Sequence, residues 1–173
     1  AVINPGDEVL VPTPYWVSYA DQIKMNEGVP VFVTATEEHH FKVTVDQLEA
    51  ARTDKTKVLL LNSPSNPTGM IYSREELEAI GNWAVEHDLL ILADDIYGRL
   101  VYNGNTFTPI SSISESIRQQ TIVINGVAKA YAMTGWRVGY AVGNPEIIAA
   151  MGKIIGQTTS NLTTVAQYAA IEA

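Results

Sequence analysis

Short apolar runs alternate along the chain with stretches in which apolar residues recur at three- and four-residue spacing, the pattern of an α/β layered domain. Strands are expected at Glu8 to Val11 and Val29 to Val33, with an amphipathic helical stretch from Trp16 to Met25 between them. Thr44-Val-Asp-Gln47 fits a capping box, and Leu48 with Ala51 gives the short helix behind it an apolar face. Val58 to Leu61 has no polar alternation, so it reads as a parallel strand buried on both faces. Ser73-Arg-Glu-Glu76 is a second capping box, followed by Leu77, Ile80, Trp83, Ala84 and His87 at helical spacing. Leu89 to Ala93, Thr121 to Ile124 and Val138 to Val142 are further strands. Asn144-Pro145 then opens a helix with an N-cap Asn and a Pro at its first position, and Ile147, Ile148, Met151, Ile154 and Ile155 are expected on its core side. No repeat or low-complexity linker divides the 173 residues, so they read as one unit.

Composition narrows the function. With 46% apolar and 17% charged residues the chain can bury a sizeable core. Eleven basic against nineteen acidic residues leave a net charge of −8, which argues against general binding to nucleic acid or to an anionic membrane surface. The absence of cysteine excludes disulfides, thiolate metal sites and Cys nucleophiles, and suits a reducing compartment. No apolar run reaches membrane-spanning length. The chain opens Ala1-Val2-Ile3-Asn4-Pro5-Gly6 with no Met and no signal segment, and is expected to be cut from a longer protein.

The usual phosphate motifs are missing. There is no G-x-G-x-x-G, and Gly152-Lys153 lies between Ile147 and Ile154 where a Walker loop needs Gly and Ser or Thr. His39-His40 beside Glu37-Glu38 reads as a solvated turn, so no metal site is assigned, and the Asn161-Leu162-Thr163 sequon reads as chance. Polar residues just after buried strands are of more interest, because ligands of open α/β sheets sit outside the carboxyl ends of the strands. Three stretches qualify: Asn62 to Gly69, with Asn66-Pro67-Thr68-Gly69 at its end; Asp94-Asp95-Ile96-Tyr97; and Asn125-Gly126-Val127-Ala128-Lys129. Each has a plainer reading taken alone: turn chemistry, a helix-capping or Mg²⁺-binding acid pair, a surface lysine. If the strands are parallel, the three bring an amide, a carboxylate, a phenol and an amine to one cleft. That set suits a carbonyl cofactor with a basic ring nitrogen, in which a lysine bonds to the carbonyl and a carboxylate keeps the ring protonated.

The stretch Lys129-Ala-Tyr-Ala-Met-Thr-Gly-Trp-Arg137-Val-Gly-Tyr, with Asn66-Pro67-Thr68-Gly69 and Asp94-x-x-Tyr97 upstream in this order, resembles the large domain of fold type I, class I aminotransferases, nearest the bacterial aspartate aminotransferase subgroup. The similarity extends from Asn4-Pro-Gly-Asp-Glu-Val to Ile171-Glu172-Ala173. It implies a three-layer α/β/α fold with a mostly parallel sheet, in which Arg137 to Val142 forms one antiparallel strand. It also implies pyridoxal 5'-phosphate as cofactor, held covalently by Lys129, which later moves the substrate's proton. Asp94 would pair with the ring nitrogen, Tyr97 and Asn66 would donate to the ring oxygen, Trp16 would stack on the ring and Arg137 would hold the phosphate. Without that context Trp16 reads as a half-buried aromatic at a helix start, Arg137 as half of a structural ion pair, and Met133 and Trp136 as core.

Many relatives carry Ser three and one positions before the lysine. Gly126 and Ala128 stand here instead, which implies fewer side-chain contacts to phosphate. Residues 1–173 are thus expected to be the cofactor-binding large domain alone, inactive by itself, with an upstream part and a small C-terminal domain lying outside. The expected reaction is amino-group transfer between an amino acid, aspartate first, and a 2-oxo acid, in a cytoplasmic homodimer. The alternatives are β-elimination or decarboxylation on the same scaffold, or a non-catalytic effector domain of a regulator. Thr13-Pro14 and Asn66-Pro67 are candidate cis peptides by the same resemblance.

Overall fold

The computed structural model describes residues 1–173. Its centre is a six-stranded sheet of β1 (Glu8–Thr13), β2 (Val29–Thr34), β3 (Thr56–Asn62), β4 (Leu90–Asp94), β5 (Thr121–Gly126) and β6 (Gly139–Val142), ordered β2-β1-β3-β4-β5-β6. Every pairing is parallel except β5 with β6, which is antiparallel. Each expected strand is present, with its ends within two residues of those expected.

Both faces of the central strands are covered, and β3 shows why its sequence lacks alternation. Leu59 and Leu61 point into the larger core with Leu10, Ile91, Ala93, Leu77, Ile80, Trp83 and Ile117. Val58 and Leu60 point the other way, into a smaller core with Val9, Val11, Tyr19 and Ile23. The larger core is roofed by α2 (Val45–Ala51), α3 (Arg74–Glu86) and α4 (Glu115–Gln119), and the smaller by α1 (Ser18–Met25).

The two capping boxes form as the sequence predicts. Thr44 Oγ1 accepts from Gln47 N and Ser73 Oγ from Glu76 N, while the Gln47 and Glu76 side chains accept from the backbone N–H of Thr44 and Ser73. Glu49 of α2 ties these helices together, accepting from Trp83 Nε1 at 2.8 Å and pairing with Arg52 and with His87 at the end of α3.

α5 (Pro145–Thr158) starts at Asn144, whose Oδ1 accepts from Glu146 N. Its apolar face is not in the core, contrary to expectation. No residue of α5 is buried, and Ile154 and Ile155 are about half exposed, because no other element of residues 1–173 packs over that face. α6 (Thr164–Glu172), which the sequence pattern does not predict, buries only Ala166.

Candidate functional site

The strand ends are level. Asn62 at the end of β3 stands beside Asp94 at the end of β4, and Asp94 beside Ile124 in β5. β1 is followed by a crossover toward β2 on one side, while β3, β4 and β5 succeed one another on the other. A crevice therefore opens at the carboxyl ends, the usual ligand position where strand order reverses. A cleft of about 370 Å³ lies there, within the range of small-molecule sites. Trp16, Asn66, Asp94, Tyr97, Lys129 and Arg137 all line it, together with Tyr19.

Each side chain arrives by a local device. Trp16 sits in the turn between β1 and α1, 41% exposed, with its ring edge-on to Tyr19 at 5.3 Å. Asn66 follows a loop braced by Asn62, whose Oδ1 accepts from Asn66 N at 2.7 Å and whose amide donates to the Asp94 carbonyl at 2.8 Å. Asn62 thereby links the β3 loop to the β4 end. The peptides Thr13-Pro14, Ser63-Pro64 and Asn66-Pro67 are cis. Two of these were expected, and Ser63-Pro64 was not.

Asp94 Oδ1 accepts from Ile96 N at 3.2 Å, and Oδ2 accepts from the Tyr19 hydroxyl at 2.6 Å. Burial first, then the Asp94 charge, push the Tyr19 pKa well above the ordinary phenol value, so this hydroxyl keeps its proton. Asp95 points away from the cleft into the larger-core side, 6% exposed, near Leu61, Leu77, Phe107 and Ile110. Burial and the neighbouring Asp94 raise its pKa to about 7.

Lys129 lies in a single turn after β5, with its Nζ 5.6 Å from the centre of the Tyr97 ring. Gly126, three residues earlier, is required by packing: a Cβ there would stand 2.6 Å from the Val138 carbonyl oxygen and 3.1 Å from Gly139 Cα. β6 runs too close for serine at that position. Arg137 follows the short 3₁₀ turn Thr134–Trp136 with φ of 58°, and its Nη1 donates to the Thr134 carbonyl at 2.9 Å. It forms no ion pair with a carboxylate of the chain, which corrects the structural ion-pair reading. Trp136, read as core, is 46% exposed, because the turn carries it to the surface. His39 and His40 are exposed in a turn.

Tyr19 and Asn62 are the site residues that the sequence reasoning missed. Their bonds to Asp94 span 75 and 32 positions, and no local motif marks such a pair.

The donor set can be tested against the cofactor that the sequence suggests. Pyridoxal phosphate presents an aldehyde, a basic ring nitrogen, a ring oxygen, a flat face and a phosphate. The cleft offers an amine, an oriented carboxylate, an amide with a phenol, a half-exposed indole and a guanidinium with only one of its donors engaged. The residues present fit that group.

The chain is similar over its whole length to known proteins of one family. The family model "Aminotransferase class I and II" matches residues 1–173. An asparagine–oxo-acid transaminase of Streptococcus mutans is 79% identical over 173 residues, covering 100% of this chain and 44% of that protein. An aspartate aminotransferase of Bacillus sp. strain YM-2 is 56% identical over 99% of this chain and 44% of its own length. Among solved structures, aspartate aminotransferase from Thermus thermophilus with maleate superimposes with a TM-score of 0.94 at 44% identity, over 99% of this chain and 44% of that one. The chain spans less than half the length of the curated relatives it matches.

Proposed function

The chain belongs to the aminotransferase class I and II family, and on that premise we propose that it is the cofactor-holding large domain of an enzyme that moves an amino group between an amino acid and a 2-oxo acid. The observation that carries this reading is the convergence of Lys129, Asp94, Tyr97, Asn66 and Arg137 on one cleft at level strand ends.

Bound pyridoxal phosphate supplies an electron-withdrawing ring that stabilises negative charge at the α-carbon of an attached amino acid. The chain's own residues do the rest. Lys129 would hold the aldehyde carbon covalently and, once free, would be the amine that moves a proton at the substrate's α-carbon. Asp94 sets a negative charge against the ring nitrogen, and the Asn62 brace keeps its strand end in register with the Asn66 loop. Tyr97 and Asn66 would donate to the ring oxygen, Trp16 would cover one ring face and keep water from it, and the Arg137 fork would hold the phosphate.

Aspartate is the proposed amino donor, in keeping with the Bacillus and Thermus relatives. Asparagine is the second reading, favoured by the 79% identity to the Streptococcus transaminase. A cytosolic homodimer is proposed for the whole protein, and no helix here is long and apolar enough to cross a membrane. The test is the half-reaction of the full-length protein, loaded with pyridoxal phosphate and followed by absorbance with aspartate and asparagine in turn. Conversion of the bound cofactor to its amine form by either one supports amino transfer. Elimination or decarboxylation products, or no spectral change with any amino acid, would overturn it.

A further inference from the structure

The Asp94 carboxylate is held from two sides, and the shorter hold comes from a helix that carries none of the sequence motifs. Oδ1 takes a 3.2 Å bond from the Ile96 amide, while Oδ2 takes a 2.6 Å bond from the Tyr19 hydroxyl. Tyr19 is only 5% exposed, packed in the smaller core with Val9, Val11, Ile23 and Leu60. Its ring is therefore fixed by α1 and the sheet, and its hydroxyl has a defined aim. Toward Asp94 the phenol is the donor, since burial and the carboxylate's charge keep its proton in place. The other charged or titratable groups around Asp94 are Asp95 and Tyr97 from its own turn, Lys129 after β5 and Arg137 before β6.

We propose that Tyr19 is a positioning residue which clamps Asp94 through Oδ2, so that the carboxylate stays charged and fixed in orientation toward a protonated ring nitrogen in the cleft. The proposal rests on the reading that the cleft holds pyridoxal phosphate. A hydrogen bond donated to a carboxylate favours its charged form, and a bond to a charged group is among the stronger ones a side chain makes. Without it, Asp94 keeps only the longer backbone bond and is free to turn about its Cβ–Cγ axis. Asp94 would then hold a proton more readily and protonate a ring nitrogen in the cleft less fully, which would leave a Lys129 nitrogen bonded to that cofactor more basic.

The experiment uses Tyr19→Phe in the full-length holoenzyme, which keeps the ring in the core and removes only the hydroxyl. The readout is the pH midpoint of the absorbance change of the lysine-bound cofactor. It should rise by about one pH unit, and kcat should fall about tenfold with KM for the amino acid little changed. A packing role alone would lower thermal stability and leave the midpoint in place, and that result overturns the proposal. Should Tyr19→Phe not fold, 3-fluorotyrosine at position 19 makes the donor stronger at nearly constant size. The midpoint should then fall, and an unmoved midpoint overturns the clamp. A wild-type protein with no lysine-bound cofactor absorbance would instead bring down the underlying reading of the cleft.

Discussion

Replacing Asp95 with asparagine should change how the stability of the fold depends on pH. Asp95 is 6% exposed and sits beside apolar side chains, with Ser63 and Thr108 as polar neighbours, and its acid form is favoured by burial and then by repulsion from Asp94. Its folded pKa of about 7 stands above the ordinary 3.8, a gap of about three units. Between those values the folded state binds more protons than the unfolded chain, so Asp95 makes stability fall as pH rises, by at most about 1.4 kcal/mol per unit. Integrated over the window from about pH 4 to pH 7, the loss is about 4 kcal/mol; above pH 7 it is complete and constant. An asparagine side chain has nearly the same shape and no charge, so Asp95→Asn should gain about that much on the wild type between pH 4 and pH 8, whatever fixed cost the amide adds at every pH. Urea denaturation of both proteins across pH 4 to 8 measures this, since titrating groups that do not interact with Asp95 cancel in the difference. Parallel stability curves would show that Asp95 ionises freely in the folded state and would refute the effect ascribed to its burial.

Three further substitutions probe the site and its frame. Asp94→Ala in the full-length protein should cut kcat by about three decades, or about 4 kcal/mol, by removing the charge opposite the ring nitrogen; rates near wild type would take Asp94 out of the mechanism. Gly126→Ser must push the β5–β6 pair apart at Val138, and should lower stability by about 1–3 kcal/mol and weaken binding of pyridoxal phosphate, read by thermal melting and by absorbance titration. An unchanged melting temperature would mean that β6 can move aside. Ser73→Ala removes the acceptor for Glu76 N and should cost about 1 kcal/mol in urea denaturation with no effect on cofactor binding.

What could be read in the sequence was whatever is encoded locally or by repeated type. Val58 to Leu61 announced a strand covered on both sides because neither face could afford a polar residue, and Ser73 with Glu76 marked the start of α3 because a capping box lies within four positions. The grouping of an amide, Asp94, Tyr97 and Lys129 followed from their places just after buried strands taken as parallel, whereas the antiparallel β6 and the parts of Trp16 and Arg137 came from family resemblance, since no periodicity sets strand order or direction. Apolar character misled where a residue's type says nothing about its neighbours: Ile154 and Ile155 have the right spacing for a core face but nothing in residues 1–173 to cover them, and Trp136 is turned outward by a 3₁₀ turn. The Tyr19–Asp94 bond and the Asn62 brace were invisible for a related reason. They exist only once β1, β3 and β4 stand side by side.

The central claim is that Lys129 is the residue that holds the cofactor in the cleft formed with Asp94. The most direct test is to incubate the protein with pyridoxal phosphate, reduce with borohydride, digest, and locate the modified peptide by mass spectrometry. A single stoichiometric adduct on Lys129 is expected, lost in Lys129→Ala and not transferred to another lysine. An adduct at Lys153 or Lys24 in place of Lys129, or equal labelling of all lysines, would contradict it.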